Sequence, residues 1–253
     1  TKRNRAQLDN IIANDIQDPQ IALTCTTGIT DMTSLFLVAG VANTFNQNLE
    51  HWDVSNVTSM ENMFAFQSSF NQPLNNWDVS NVTNMFQLFA ASGFNQPLDN
   101  WDVSSATTMQ SMFIQASSFN QPLNNWDVSN VTKMNGMFAS ASAFDQPLNN
   151  WDVSNVTNMS SMFQNALSFD QDLSGWSFNQ SVFLNSFLNS SNLSNSNYDL
   201  ILQSFDNQGL VDKSLGAIGL AYCDEATRNN LINNKNWTIT GDFLGQCGAT
   251  FNP

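Results

Sequence analysis

The sequence predicts an α/β repeat solenoid of coils about 25 residues long, each with one short parallel strand and one short helix. The main observation is a period: tryptophans recur at spacings of 25, 24, 25, 25 and 25 residues, at Trp52, Trp77, Trp101, Trp126, Trp151 and Trp176. The first five begin near copies of the segment WDVSNVT. A fixed period of this length is the signature of a repeat protein, whose units bury their apolar side chains against neighbouring units.

The apolar pattern within one coil predicts its local structure. Trp126 and Val128 alternate with polar residues, and this period of two favours a short strand. The apolar residues that follow favour a short helix because they are three, three and one apart: Val131, Met134, Met137 and Phe138. The proline of FDQPLNN then ends the helix and turns the chain toward the next tryptophan.

The pattern predicts three parts: a helical N-terminal cap over 1–26, about seven coils over 27–190, and an α+β C-terminal cap over 191–253. In RNRAQLDNIIAND the apolar residues are spaced as on one helix face: Ala6, Leu8, Ile11 and Ile12. NSNYDLILQSF predicts a second helix with inward-facing Tyr198, Ile201, Leu202 and Phe205. DEATRNNLINNKNW predicts a third helix and WTIT a strand. Such caps protect the open ends of a repeat array.

Charge and hydropathy exclude two classes of partner. The 21 acidic and 7 basic residues leave a formal net charge of -14, which opposes binding to nucleic acid and to anionic membrane surfaces. No apolar run reaches the roughly 18 to 20 residues that span a bilayer. We therefore expect a module that does not insert into a membrane. We also expect the module to be monomeric.

Two cysteines of the terminal segment, Cys223 and Cys247, can form a disulfide if the protein is exported. The alternative is three free thiols. Cys25 has no neighbouring base in the sequence that would make it a nucleophile.

A recurring aspartate follows each of the first five tryptophans, at Asp53, Asp78, Asp102, Asp127 and Asp152. One interpretation is a file of Ca²⁺ sites between coils. The favoured interpretation is an Asx turn, in which each carboxylate accepts backbone N–H groups at the following Ser and Asn. A calcium site would bring more than one acid per coil, so no cofactor is expected.

Two further files accompany the aspartates. The Asn of NVT (Asn56, Asn81, Asn130, Asn155) forms a glycosylation sequon, but a ladder of hydrogen bonds between coils is favoured. A minor alternative is an ice-binding face, which requires a regular threonine file such as this one: Thr58, Thr83, Thr107, Thr132 and Thr157.

No catalytic site is expected. The single histidine, His51, gives no catalytic triad. Pairs of carboxylates, as used in glycoside hydrolysis, are better explained here by the repeat period.

The segments FNQPLNNWDVSNVT and NMSSMFQNA resemble the DUF285 repeat of BspA-type leucine-rich-repeat surface proteins. LSNSNYDLILQSF, AYCDEATRNNLI and NNKNWTITGD are similar to the segment that commonly follows these repeats. The resemblance implies a leucine-rich-repeat-like right-handed superhelix on a bacterial cell surface or secreted, with adhesion or ligand binding and no catalytic residues. The sequence departs from the pattern at SSAT (104–107) and at Ser177.

Function is expected where the coils differ. The hypothesis is that the array binds a protein or glycan of a host or neighbouring cell through variable, exposed positions: Glu61, Asn62, Phe86, Gln87, Gln110, Ser111, Asn135 and Gly136. The alternative is a structural spacer or stalk that binds no ligand.

Overall fold

A computed structural model describes residues 2–37 and 44–247 of the chain. Its helices and strands are, in chain order, α1 (Arg5–Asn14), α2 (Asn195–Asn207), β1 (Ser214–Gly216), β2 (Ala221–Tyr222), α3 (Glu225–Lys235), β3 (Thr238–Thr240) and β4 (Phe243–Leu244). β1 pairs in parallel with β3, with Ser214 opposite Thr238. β2 pairs in parallel with β4, with Ala221 opposite Phe243.

The predicted α/β solenoid, with a strand and a helix in every coil, is wrong. Described residues between 27 and 190 form turns, bends and single β-bridges, with no helix and no strand. Neighbouring repeats are joined by one parallel bridge each, through Asp31, Ser59, Asn84, Thr108, Lys133, Asn158 and Phe183. The described chain is thus mostly loop, with three short helices and four short strands in two small sheets.

Backbone hydrogen bonds explain why the expected helix does not form. The N–H groups of Met134, Gly136 and Phe138 donate to carbonyls of the next repeat, each at 2.9 Å. The N–H groups of Met137 and Ala139 donate three residues back, each at 3.1 Å, and so close tight turns. Gly136 has a φ of 66°, in the left-handed region that a right-handed helix excludes. The spacing of three that predicted a helix therefore comes from consecutive turns.

The repeated apolar residues form one continuous core, as the period predicts. Phenylalanine rings stack both within and between repeats, so that Phe113 lies 3.9 Å from Phe119 and 5.7 Å from Phe138, between ring centroids. The indole Nε1 of Trp126 donates to the carbonyl of Leu98 in the preceding repeat at 3.0 Å. The period is thus a requirement of packing and of hydrogen bonding between repeats.

One repeat is a residue shorter than the others between its core phenylalanines, Phe89 and Phe94. The shortened loop brings Gly93 against the preceding repeat, where its N–H donates to the carbonyl of Gln67 at 3.2 Å. A Cβ at Gly93 would lie 2.1 Å from the carbonyl oxygen of Ser68. Only glycine fits this approach.

Helix α1 closes the first repeat. It buries Leu8 and Ile12, whereas Ala6, which was predicted to face inward, is exposed. Its Arg5 guanidinium donates to the carbonyls of Asp31 and Thr33 at 2.9 and 2.8 Å. In later repeats the equivalent carbonyls accept N–H groups of the preceding repeat. One charged side chain therefore replaces two backbone donors.

The C-terminal segment continues the stacking. The predicted helices and strand are present as α2, α3 and β3, and α2 buries the four side chains that were predicted to face inward: Tyr198, Ile201, Leu202 and Phe205. Leu184 of the last repeat bridges Leu215, and the indole Nε1 of Trp237 donates to the Leu210 carbonyl at 2.9 Å. This bond repeats the tryptophan contact of the array, so α2 and α3 belong to further turns of the same stack.

Candidate functional site

Two rows of outward-facing side chains run along one side of the stack, and we call them the bridge face. The first row holds the bridged residues Asp31, Ser59, Asn84, Thr108, Lys133, Asn158 and Phe183. The second row holds the residues two positions on: Thr33, Glu61, Phe86, Gln110, Asn135, Ser160 and Asn185. The residue between the rows is a buried methionine in most repeats, which directs both rows outward.

The chemistry of the bridge face changes from repeat to repeat, whereas core and turn residues recur. The rows contain carboxylates, hydroxyls, amides, one amine and two phenylalanine rings. Phe183 is 60% exposed, and Phe86, which was predicted to be exposed, is half-buried. The face therefore offers a different set of contacts at each level of the stack.

The structure brings half of the predicted binding residues onto this face: Glu61, Phe86, Gln110 and Asn135. The other four follow them directly and have positive φ angles: Asn62, Gln87, Ser111 and Gly136. Ser111 and Gly136 are buried, since the left-handed turn directs them toward the neighbouring repeat. Ser111 and Gly136 were predicted to be exposed and are not, so a binding partner cannot contact them.

Contacts within the bridge face order its N-terminal part. The Asn84 Nδ2 donates to Glu61 Oε2 at 2.9 Å, and the hydroxyls of Thr33 and Ser59 lie 2.9 Å apart. The side chains in the middle of the face form fewer hydrogen bonds and ion pairs. Asn135 Oδ1 is buried without a hydrogen-bond partner, and the Lys133 amine forms no ion pair with any described residue.

Two residues of the bridge face, Lys133 and Phe183, were not predicted from the sequence. Their column holds Ser, Asn, Thr, Lys, Asn and Phe in successive repeats, and this variability was the available signal. Lys133 is also the only lysine or arginine between positions 27 and 190. The absence of any other lysine or arginine in the array could have identified Lys133 as a candidate binding residue from the sequence alone.

The aspartate file forms Asx turns through the serine N–H, as favoured from the sequence, whereas the predicted second contact, with the N–H of the following Asn, is absent among the described residues. Asp102 Oδ1 accepts the N–H of Ser104 at 3.0 Å and its hydroxyl at 2.6 Å. The same serine N–H contact recurs at Asp53, Asp78, Asp127 and Asp152. Within residues 2–37 and 44–247, no three His, Cys, Asp or Glu side chains converge to hold a metal ion. The carboxylates are therefore used to close bends.

Folding lowers the pKa of four of these carboxyls, and the hydrogen bond from the serine hydroxyl is the largest cause at each: Asp53, Asp102, Asp127 and Asp152. At Asp102, Asp127 and Asp152 the hydrogen bond from the serine N–H is the second cause. Neighbouring Asp127 opposes this shift at Asp102 and Asp152, as like charges do. A carboxyl whose pKa is lowered by folding stabilises the fold above about pH 4, the usual pKa of Asp. That contribution disappears as the pH falls through the folded pKa.

Substituting Ser104→Ala is expected to raise the pKa of Asp102 toward the ordinary value of an aspartate, because the carboxylate loses its hydroxyl donor. NMR titration of the Asp carboxyl carbons measures the shift. Ser105→Ala, at the next residue, is the matched control and leaves that pKa unchanged. Equal pKa values in Ser104→Ala and wild type would contradict the assignment of the hydroxyl as the cause.

The predicted asparagine ladder is confirmed at three of its four positions, whereas Asn56 makes no such hydrogen bond with a described residue. The amide Nδ2 groups of Asn81, Asn130 and Asn155 each donate at 2.8 Å to a serine carbonyl of the preceding repeat. The threonine file forms a parallel ladder, in which each hydroxyl donates to the preceding threonine carbonyl at 3.1 to 3.3 Å.

A further ladder, which was not predicted from the sequence, lies on the segment that follows the second core phenylalanine of a repeat. Asn120 Oδ1 accepts the N–H of Asp145 and the amide of Gln146, each at 3.0 Å. Asp145 Oδ1 accepts the equivalent groups of Asp170 and Gln171. Because the ladder uses only the acceptor oxygen, aspartate can replace asparagine in it. The recurrent FNQ and FDQ triplets were its signal.

Other predicted features lie away from the bridge face. His51 is exposed, beside a surface depression of about 500 Å³ that Asn48 and Glu50 also line. Cys223 and Cys247 form a disulfide with a Cα–Cα distance of 5.5 Å, and Cys25 is exposed and free. In the part of the chain that the structure describes, no helix is long and apolar enough to cross a membrane.

Comparison with known proteins gives a family. The model of the family described as "Mycoplasma protein of unknown function, DUF285" matches residues 8–113 and 90–200. No curated protein and no solved structure matches the chain. The two matched segments overlap and together cover most of the sequence, including all repeats that begin with tryptophan. The chain therefore belongs to the DUF285 family, whose repeat the sequence resembles.

Proposed function

We propose that this protein is secreted or displayed on a bacterial cell surface, where it binds a protein or glycan of another cell through the bridge face. The binding has an adhesion role. The disulfide between Cys223 and Cys247 supports an extracellular location, since disulfides persist in oxidising compartments. The net charge of -14 opposes binding to nucleic acid.

The observation that carries the proposal is the contrast between repeated and variable positions in one structure. Positions that pack the core or form ladders keep their residue type in nearly every repeat. The second row of the bridge face instead holds Glu61, Phe86, Gln110, Asn135 and Ser160 in succession. Packing does not require this variety, and a stack of rigid repeats with different outward side chains suits recognition of an extended partner.

The test replaces the variable side chains by serine, which the array already carries in this row at Ser160. The variant combines Glu61→Ser, Phe86→Ser, Gln110→Ser and Asn135→Ser. We expect it to keep its melting temperature within a few degrees and to lose at least about tenfold in affinity, or 1.4 kcal/mol of binding free energy. Binding is measured to protein and glycan arrays and to whole bacterial cells.

The matched control is the pair Gln115→Ser and Asn165→Ser, at left-handed positions where other repeats carry Ser140 and Ser190. This pair lies on a different part of the repeat and is expected to bind as wild type does. Binding by the four-serine variant equal to that of wild type would refute the role of the face. If wild type binds none of the probes, the spacer function replaces the proposal.

A further inference from the structure

Building on the proposed binding at the bridge face, we propose that its ligand is a glycan with isolated carboxylate groups, and that Lys133 pairs with one of these carboxylates. The site extends along the face from Phe86 to Phe183. It comprises Phe86, Gln110, Lys133, Asn135, Asn158 and Phe183.

The charge of Lys133 is unused within the protein. It is exposed, and among described residues its amine has no hydrogen bond and no ion pair. Most bases outside the array have an acceptor: Arg228 pairs with Asp242 and Lys235 with Asp206, each through contacts of 2.6 to 2.7 Å. Lys133 is thus the one lysine or arginine of the array on a strongly acidic protein, and its charge is free to pair with an anionic group of a ligand.

The side chains around Lys133 are amides and hydroxyls. Gln110 and Asn135 lie in the second row, and Thr108 and Asn158 are its bridged neighbours. Amides both donate and accept hydrogen bonds, as sugar hydroxyls do. These groups match a polyhydroxylated ligand.

Aromatic rings stand at both ends of the site. Phe86 lies two repeats before Lys133 and the 60% exposed Phe183 lies two repeats after it. At about 4.8 Å per repeat the rings are about 19 Å apart along the stack. Each ring offers a flat apolar surface on which the C–H face of a sugar ring can rest.

The same arrangement disfavours two other ligands. A protein partner needs a core of several apolar or aromatic anchors, whereas the centre of this face is polar. A dense polyanion is repelled by the net charge of -14, while the attraction of Lys133 to one nearby carboxylate is short-range. A mostly neutral glycan with separated carboxylates needs no apolar core in the face and is repelled less than a dense polyanion.

The experiment begins with the full chain on an array of neutral, sulfated and carboxylate-bearing oligosaccharides, the last group being sialylated glycans with isolated carboxylates. We expect the strongest signals from the carboxylate-bearing group. Titration calorimetry then compares the best-binding acid with its methyl ester. Wild type is expected to bind the acid about three- to fivefold more tightly, the range of an exposed ion pair.

Two variants separate the roles. Lys133→Gln is expected to reduce the acid-to-ester affinity ratio to about one, while the matched Lys2→Gln leaves the ratio unchanged. Phe183→Ser is expected to weaken acid and ester equally, because the ring contact does not depend on charge. Equal affinity of wild type for both forms, or best binding to neutral or sulfated glycans, would overturn the inference.

The outcome also distinguishes this inference from the proposed function. If wild type binds cells or a protein through the bridge face but no carboxylate-bearing glycan, the glycan assignment fails and the proposed function stands. If the four-serine variant binds every probe as wild type does, both fail.

Discussion

Truncating one ring at the centre of the stack, Phe113→Ala, is expected to remove about 3 to 5 kcal/mol of the free energy of unfolding. Phe113 is fully buried, and its ring centroid lies 3.9 Å from that of Phe119 and 5.7 Å from those of Phe89 and Phe138. The alanine leaves a cavity that three repeats line. For a chain of this size we expect the melting temperature to fall by about 6 to 20 °C, as calorimetry would record.

The matched control is Phe183→Ala, which removes the same side chain from a position that is 60% exposed. Its effect is expected to stay within about 0.5 kcal/mol, as for most surface substitutions. Equal destabilisation by the two variants would contradict a core made of stacked rings, since only Phe113 lies between repeats.

Removing the disulfide, by Cys223→Ser together with Cys247→Ser, is expected to cost about 3 to 4 kcal/mol in the C-terminal segment. The bond closes a loop with a sequence separation of 24, and loop-closure entropy gives this magnitude. β4 pairs with β2 over two residues only, and Phe243 and Leu244 are each 55% exposed. The covalent bond therefore supplements a short strand pairing and the ion pair between Arg228 and Asp242, the residue directly before β4.

Hydrogen exchange at residues 221–222 and 243–244 measures the effect, with urea unfolding as a second measurement. Both are expected to show the loss in the double variant and in wild type treated with dithiothreitol. Cys25→Ser is the matched control, because that thiol is exposed and free, and it should exchange as wild type does. Unchanged protection of Phe243 after reduction would contradict the prediction.

Part of the candidate site was predictable and part was not. Glu61, Phe86, Gln110 and Asn135 were recognisable because they are variable positions between recurring methionines and share one register. Lys133 and Phe183 were missed because their column was assigned to an expected helix, in which residues two apart do not share a face. The bridges place these columns side by side and outward.

By itself, the sequence determined the repeat, its register and the composition of the core. Tryptophan, valine, methionine and phenylalanine recur because each must be buried against its copy in the next repeat, and buried apolar periodicity is readable without coordinates. The Asx turn at Asp102 was equally readable, because its donors lie two residues away in the chain.

Only the tertiary structure decided the backbone path of each repeat. The N–H groups of Met134 and Phe138 bond to carbonyls about 25 residues away, not four. A local pattern of apolar residues does not specify whether a donor finds its acceptor within its own turn or in the next repeat. The stacked neighbour supplies the acceptors, and for this reason the array is built from turns and bridges instead of helices and strands.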